Sequence, residues 1–305
     1  MGLCIIGSEK SESNLKLLEE SKKKFASVFF VPVEGIRIGL GKTFSITYRS
    51  SDLSKFDAIY PRIPSQLYSY AYQLISLLPS DTYTPIKPIT FLIASDRFFL
   101  LSVLRKRNIP TLDIHLARTP KAACAITEEI DFPLIIRIPG KKTGMIAKTR
   151  NEAKSIIDAL GSLKQQILIE QPVKDVVSVY VAGRDVLASI KKKTNEVDVI
   201  FEKGHYKSHK IDVETKHLAF ETAHAIGAEI IRIDISQNGG PKVVNIDLNP
   251  DLVLPSKITG IDMPKNIINY IYDNYRRYKE KPLLIKFFED AKSVVKEVFK
   301  EKHML

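Results

Sequence analysis

Apolar residues recur along this chain in two rhythms, and their alternation predicts the architecture. Short apolar runs at residues 2–6, 27–33, 45–48 and 58–60 read as strands. Residues 12–25, with Leu15, Leu17, Leu18 and Phe25 apolar, have the spacing of an amphipathic helix. A β-α-β opening of this kind predicts a parallel sheet with a helix packed on it. Residues 66–78 read as a helix, and Pro79 with Pro85-Ile86-Lys87-Pro88 marks a joint after it. A helix over 89–108 follows, carrying Ser95-Asp96-Arg97 in its middle and broken by Ile109-Pro110-Thr111.

Strands return at 132–139 and 145–148, separated by Gly140-Lys141-Lys142-Thr143-Gly144, and 151–163 forms a helix with Ala153, Ile156, Ile157 and Leu160 on one face. A strand at 167–169 leads to a hairpin of 176–182 and 186–190 turned at Gly183, with Lys191-Lys192-Lys193 directly after it. A basic loop with His205, Lys207, His209 and Lys210 then precedes a helix over 213–226. Two runs rich in Ile and Val, 229–235 and 242–248, flank Ser236–Pro241, whose Asn-Gly-Gly-Pro chemistry is that of a hairpin loop. Helices over 264–278 and 281–305 complete the chain, the latter with Leu284, Phe287, Phe288, Ala291, Val295 and Phe299 recurring.

Composition narrows the class. Hydrophobic residues make up 44% and charged residues 27% of 305 positions, the balance of globular domains, and that length favours two or three packed domains. No apolar run reaches the roughly 18 residues of a membrane span. The apolar start lacks a basic leader and reads as a first strand, so a cytoplasmic protein without membrane contact is expected. Cys4 and Cys124 are the two cysteines, too few for a disulfide framework or a zinc site. The net charge of +11 attracts phosphates, acidic substrates or nucleic acid through the same field. Nucleic acid is not an expected partner, because no binding motif or interleaved aromatic patch accompanies the lysines, which alternate with Glu as on an ion-paired surface.

The chemistry concentrates at the late hairpin. Asp234, Asp247 and Asn249 would lie near one end of it, with Asp247 and Asn249 on one strand face, and hard oxygen donors without His or Cys suit magnesium. Arg62 falls just past a strand end, where open α/β sheets bind ligands, and is a candidate substrate or phosphate contact. The Gly-flanked basic loop with Lys141 suits a phosphate cover, although the Walker A spacing is missing. Lys191–Lys193 are placed to grip a triphosphate. Metal binding by His205 and His209 has no helix to support it.

These motifs together resemble the ATP-grasp ligases, and within them the RimK type. The resemblance covers roughly residues 2–275. Lys55-Phe56-Asp57-Ala58-Ile59-Tyr60-Pro61-Arg62-Ile63 is similar to the strand and turn closing that family's first domain. Ser95-Asp96-Arg97 is similar to its Arg/Ser-Asp-Lys helix, Ile109-Pro110 to the turn that follows, and Lys257-Ile258-Thr259-Gly260-Ile261-Asp262 to its Lys-Thr-Thr-Gly-Ile-Asp motif. The resemblance implies an α/β (α+β) chain with an ATP-grasp fold: a parallel α/β pre-ATP-grasp domain over 1–88, an ATP-grasp domain over 89–280 and a basic amphipathic helix over 281–305. The ATP-grasp domain would split into a lid at about 115–172 and a larger metal-bearing part at about 173–280.

It also implies an ATP-dependent carboxylate–amine ligase that forms an amide through an acyl phosphate. The expected partners are ATP, a glutamate-like amino acid and a carboxylate acceptor on a protein, carrier or coenzyme, with self-association left open. The competing reading is a catalytically weakened nucleotide-binding module. Two magnesium ions, or manganese, would be held by Asp234, Asp247 and Asn249. Arg97, Arg137 and Lys141 would contact phosphates, residues 167–173 including Glu170, Gln171 and Val173 would hold the adenosine at the hinge, and Lys192 would contact the acyl phosphate. Several positions depart from the family pattern. Arg97 and Arg137 replace lysines, Gln171 stands at the ribose-gripping acid, Asp247 replaces Glu, Ser178 replaces a substrate-side Arg, Glu202 replaces Asn, and the lid is about three residues shorter.

Overall fold

The computed structural model describes residues 1–41, 44–140, 144–192 and 206–280. Within it the chain divides into two compact units, one of residues 1–63, 73–86 and 264–280, the other of 64–72 and 87–263. Strand β1 (Gly2–Gly7) is buried along its whole length, with Leu3, Cys4, Ile5 and Ile6 fully enclosed. An apolar run without alternation therefore becomes the central strand of a parallel sheet covered on both faces. Helix α1 (Glu12–Lys22), capped by the Ser11 hydroxyl, leads to β2 (Ser27–Pro32), which pairs in parallel with one edge of β1.

Strands β3 (Ile36–Leu40), β4 (Phe44–Tyr48) and β5 (Ser51–Asp52) form a separate antiparallel sheet in which Ile38 faces Ile46. The run at 45–48 is thus a strand but not part of the parallel sheet: three residues between β3 and β4 are too few for a parallel crossover. Strand β6 (Ala58–Arg62) completes the parallel sheet in the order β2-β1-β6, and it includes Arg62 rather than stopping before it. Helix α2 (Tyr68–Ser76) straddles the division between the units.

The second unit opens with α3 (Pro88–Ser95) and α4 (Arg97–Lys106), a correction to the single helix expected over 89–108. Asp96 breaks the run. Its backbone is extended, and its carboxylate caps α4 by accepting from the Phe99 amide at 2.7 Å. Strand β7 (Ile114–Ala117), helix α5 (Pro120–Glu129), strands β8 (Leu134–Arg137) and β9 (Met145–Ala147), helix α6 (Arg150–Gly161) and strand β10 (Ile167–Glu170) follow. The four strands form an antiparallel sheet ordered β7-β10-β8-β9, and both helices pack on it through a core that includes Ala123, Leu134, Ile136, Ile157 and Ile167.

A five-stranded antiparallel sheet follows, built from β11 (Val176–Ala182), β12 (Asp185–Lys192), β13 (Tyr206–Ser208), β14 (Ile230–Ser236) and β15 (Lys242–Asp247) in the order β13-β12-β11-β14-β15. Lys191 and Lys192 lie within β12, and Lys207 lies in β13 rather than in a loop, because Lys191 and Lys192 pair with Lys207 and Tyr206. Helix α7 (Val213–Ile226) is capped by Asp212 at its start and by left-handed Gly227 at its end, and the short helix α8 (Val253–Thr259) ends at left-handed Gly260. Among the described residues, no helix is long and apolar enough to cross a membrane.

The last described helix, α9 (Met263–Glu280), returns to the first unit, so that unit is discontinuous where a boundary at 88 was expected. Phe25 meets Tyr272 edge-on at 5.5 Å between ring centroids, and Tyr83 packs against Tyr278. Asp57 ties the helix down: it accepts from the Gly2 amide at 2.8 Å, the Lys279 ammonium at 3.1 Å and the Tyr275 hydroxyl at 3.2 Å. Burial alone would raise the Asp57 pKa, but these donors hold it below the ordinary carboxylate value. The stabilisation is therefore complete above the unfolded pKa of about 4 and is lost as pH falls through the depressed folded value. Urea unfolding followed by circular dichroism should show a stability decline between about pH 5 and pH 2 that Asp57→Asn lacks, with Asp57→Asn less stable by about 1–3 kcal/mol at neutral pH.

Candidate active site

Strand periodicity assembles the site on one face of the five-stranded sheet. Tyr180 of β11 lies opposite Arg232 of β14, and Arg232 lies opposite Asp247 of β15. In the next row Ser178 faces Asp234, and Ile190 of β12 faces Ser178. Lys192, two residues beyond Ile190, shares that face, whereas Lys191 points to the other side and pairs with Asp175 at 3.0 Å. The register of β14 against β15 shifts between Asp234 and Ile235, a bulge of the sort that re-aims side chains beside functional sites.

The central charges form one system. Asp234 is fully buried, and its Oδ1 accepts from the Ser178 hydroxyl at 2.6 Å. Arg232 donates from Nη2 to Asp234 Oδ2 at 3.3 Å, its Nε stands 3.3 Å from Oδ1, and its Nη1 stands 3.4 Å from Asp247 Oδ2. One guanidinium therefore bridges both carboxylates. Burial works against the charge on Arg232, but Asp234 and Asp247 outweigh it and raise the pKa above the ordinary arginine value. Arg232 also hydrogen-bonds the Tyr180 phenol, whose pKa is raised by burial and by the surrounding acids. Neither Arg232 nor Tyr180 stands out in the sequence. The readable signal was the Arg-Ile-Asp spacing, which puts a guanidinium on the same strand face as a candidate ligand.

Asn249 lies beyond the end of β15, not on the strand as expected, because an Asx turn takes over: its amide donates to Asp247 Oδ1 at 2.9 Å. Its side-chain Oδ1 is buried and has no hydrogen-bond partner. An uncompensated buried carbonyl beside two carboxylates is the donor chemistry that magnesium takes up, so the residues present fit that ion. Among the described residues no group of three or more His, Cys, Asp or Glu side chains is placed to hold a metal, which leaves a mixed carboxylate and amide set.

A second charge system links the four-stranded sheet to α4. Glu170, 1% exposed at the end of β10, accepts from Arg97 Nε at 3.0 Å and Nη2 at 2.8 Å, while its Oε1 stands 2.5 Å from Arg137 Nη2. Arg97 also donates to the Val244 carbonyl of β15. Burial lowers the Arg137 pKa from its ordinary value; Glu170 opposes that effect and Arg97 reinforces it. Both Glu170 oxygens thus face arginine side chains. Gln171 is exposed and donates to the Asp131 carbonyl at 3.1 Å, and Val173 is half-buried nearby in sequence.

Arg62 belongs to the first unit, whereas Asp234, Asp247 and Asn249 belong to the second. It is 2% exposed, donates from Nε to Asn14 Oδ1 at 3.1 Å and stacks over Tyr60. Lys141, Lys193, Glu202, His205 and the expected helix over 281–305 lie outside the described residues.

Comparison with known proteins places this geometry. The RimK-like ATP-grasp domain matches residues 94–271. A "Probable alpha-L-glutamate ligase" of Enterobacter sp. is 26% identical over 242 residues, covering 74% of this chain and 80% of the relative. Among solved structures, the RimK domain ATP-grasp protein of Sphaerobacter thermophilus superposes with a TM-score of 0.70 at 19% identity, over 88% of this chain and 99% of its own. The ATP-grasp ligase PsnB, complexed with minimal precursor, Mg and ADP, gives a TM-score of 0.67 at 13% identity, over 90% and 98%. These likenesses show the ATP-grasp fold. Removing the hydroxyl that satisfies Asp234 should be costly: Ser178→Ala is expected to lose about 1–3 kcal/mol of stability in thermal or urea unfolding, the penalty of an under-satisfied buried carboxylate.

Proposed function

Because the chain belongs to the RimK-like ATP-grasp family, we propose that it is an ATP- and magnesium-dependent carboxylate–amine ligase that forms an amide through an acyl phosphate. The observation that carries this reading is the buried Asn249 Oδ1, which has no hydrogen-bond partner and sits on the turn that its amide forms with Asp247, the carboxylate that Arg232 bridges to Asp234. Magnesium, as two ions or with manganese in its place, would supply charge neutralisation and alignment of the ATP phosphates when bound there.

The chain's own residues divide the remaining work. Backbone groups of residues 167–173 hold the adenine, while Arg97, Arg137 and Lys141 meet the phosphates. A carboxylate oxygen attacks the terminal phosphorus and the bond to ADP breaks. Lys192, on the same sheet face as Ser178 and Asp234, neutralises the acyl phosphate as it forms. An amine then attacks the acyl carbon, phosphate leaves with the bonding electrons, and the amine proton passes to solvent.

The glutamate ligase named among the relatives favours a glutamate-like amino acid as the amine. The acceptor is then a carboxylate on a protein, carrier or coenzyme. The net charge of +11 suits acidic partners on both sides of the reaction.

Magnesium with the nonhydrolysable analogue AMP-PNP at a hundredfold excess over Kd should stabilise the protein by about 2.7 kcal/mol. Asn249→Ala and Asp247→Asn should abolish most of that shift. Phosphate release from ATP in mixtures of candidate acids with glutamate, aspartate or lysine reads the chemistry itself. Stabilisation without phosphate release from any mixture identifies a nucleotide-binding module instead, and the absence of both refutes the ligase.

A further inference from the structure

We infer that Glu170 is a positioning residue: it sets two arginines as one phosphate clamp and does not touch the nucleotide itself. The inference rests on the nucleotide reading above and changes the part Glu170 plays in it. Three elements deliver the participants, α4 through Arg97, β8 through Arg137 and β10 through Glu170, and all three side chains are buried or nearly so. Arg97 reaches Oε2 with two donors, and Arg137 faces Oε1. Both carboxylate oxygens therefore face arginine side chains, which draws the carboxylate toward the two guanidiniums.

Charge and geometry explain why the set works together. Two guanidiniums this close repel each other, and in a region of low dielectric one bridging carboxylate removes that repulsion. The trio retains a single positive charge, enough to attract an anion. Arginine suits the arrangement better than lysine, because a planar fork can pair with Glu170 through one edge and still offer N–H groups elsewhere. Such a donor remains on Arg137: its Nε is buried without a hydrogen-bond partner. Gly144 packs closely beside it: a Cβ at that position would stand 2.8 Å from Ile135 Cγ2 and 3.4 Å from Arg137 Nε. The substitution of both lysines by arginine and the burial of Glu170 are thus one feature. Glu170 also directly precedes Gln171, so the end of β10 links the phosphate contacts to the hinge that holds adenine.

A clamp aimed at phosphates affects a triphosphate far more than a monophosphate, whereas general damage to the fold weakens both alike. The experiment is calorimetric titration of the full chain in magnesium with AMP-PNP and with AMP. In Glu170→Gln the preference for AMP-PNP over AMP should fall by about tenfold or more, equivalent to about 1.4 kcal/mol. Arg97→Gln should lose a similar factor, and the double variant should be no worse than Arg97→Gln alone, because the two residues act through one contact. A folded Glu170→Gln protein with the wild-type preference overturns the positioning role while leaving nucleotide binding intact. Wild-type protein that binds neither nucleotide overturns the nucleotide reading and this inference with it. Should Glu170→Gln fail to fold, Glu170→Asp keeps the charge but withdraws it by one methylene. It should show the same loss of preference, and an unchanged ratio there overturns the inference equally.

Discussion

Arg232 and Asp234 stand two residues apart on β14, so both project from the same face of the sheet, and Asp247 meets Arg232 from the neighbouring strand. Two carboxylates this close, one of them fully buried, repel each other strongly where the dielectric is low. The guanidinium between them makes the arrangement tolerable, and the Ser178 hydroxyl satisfies the lone pair that Arg232 does not reach. Everything else at the site is arranged around that constraint. Tyr180 is fixed by the same guanidinium, and the Asn249 turn extends the acidic edge by one more oxygen. A buried pair of this sort is weak evidence of added stability, because desolvation consumes most of the Coulomb gain. Its value here lies in holding two carboxylates in fixed positions on one sheet face.

The same device appears in the four-stranded sheet with signs reversed, where one carboxylate lies between two guanidiniums. The ATP-grasp domain of this chain thus carries charge in two buried triplets, one with a net negative and one with a net positive charge. Buried polar atoms without a hydrogen-bond partner occur at both, among them the Asn249 carbonyl oxygen next to the acidic triplet and Arg137 Nε in the basic one. An acceptor and a donor of this kind are what a metal ion and a phosphate respectively require.

Much of this was legible in the chain itself. The late hairpin and α7 emerge from alternation and capping chemistry, and Asp234, Asp247 and Asn249 could be selected because acids interrupt an apolar strand. The split at Asp96 was harder to see, since apolar spacing continues on both sides and a single capping carboxylate decides the outcome. Strand β3 was hidden because Arg37 and Gly39 dilute its pattern, and β13 because a three-residue edge strand of Tyr, Lys and Ser has no apolar face to read. The roles of Arg232 and Glu170 depend on neighbours 2 to 73 positions away in sequence. Register and tertiary approach supply those neighbours, and local pattern does not.

The first unit is completed by α9, which Asp57, Phe25 and Tyr83 anchor. Residues 87–263, which belong wholly to the second unit, are synthesised between the first unit's early strands and that helix. At roughly 5–20 residues per second, the ribosome delivers α9 about 10–40 s after the parallel sheet has emerged. Through that interval the Phe25 ring and the Asp57 carboxylate lack their final partners, and the sequence of the second unit is complete just as α9 begins to emerge. The order of assembly is therefore inverted relative to the order of the chain: the unit made first is the one finished last.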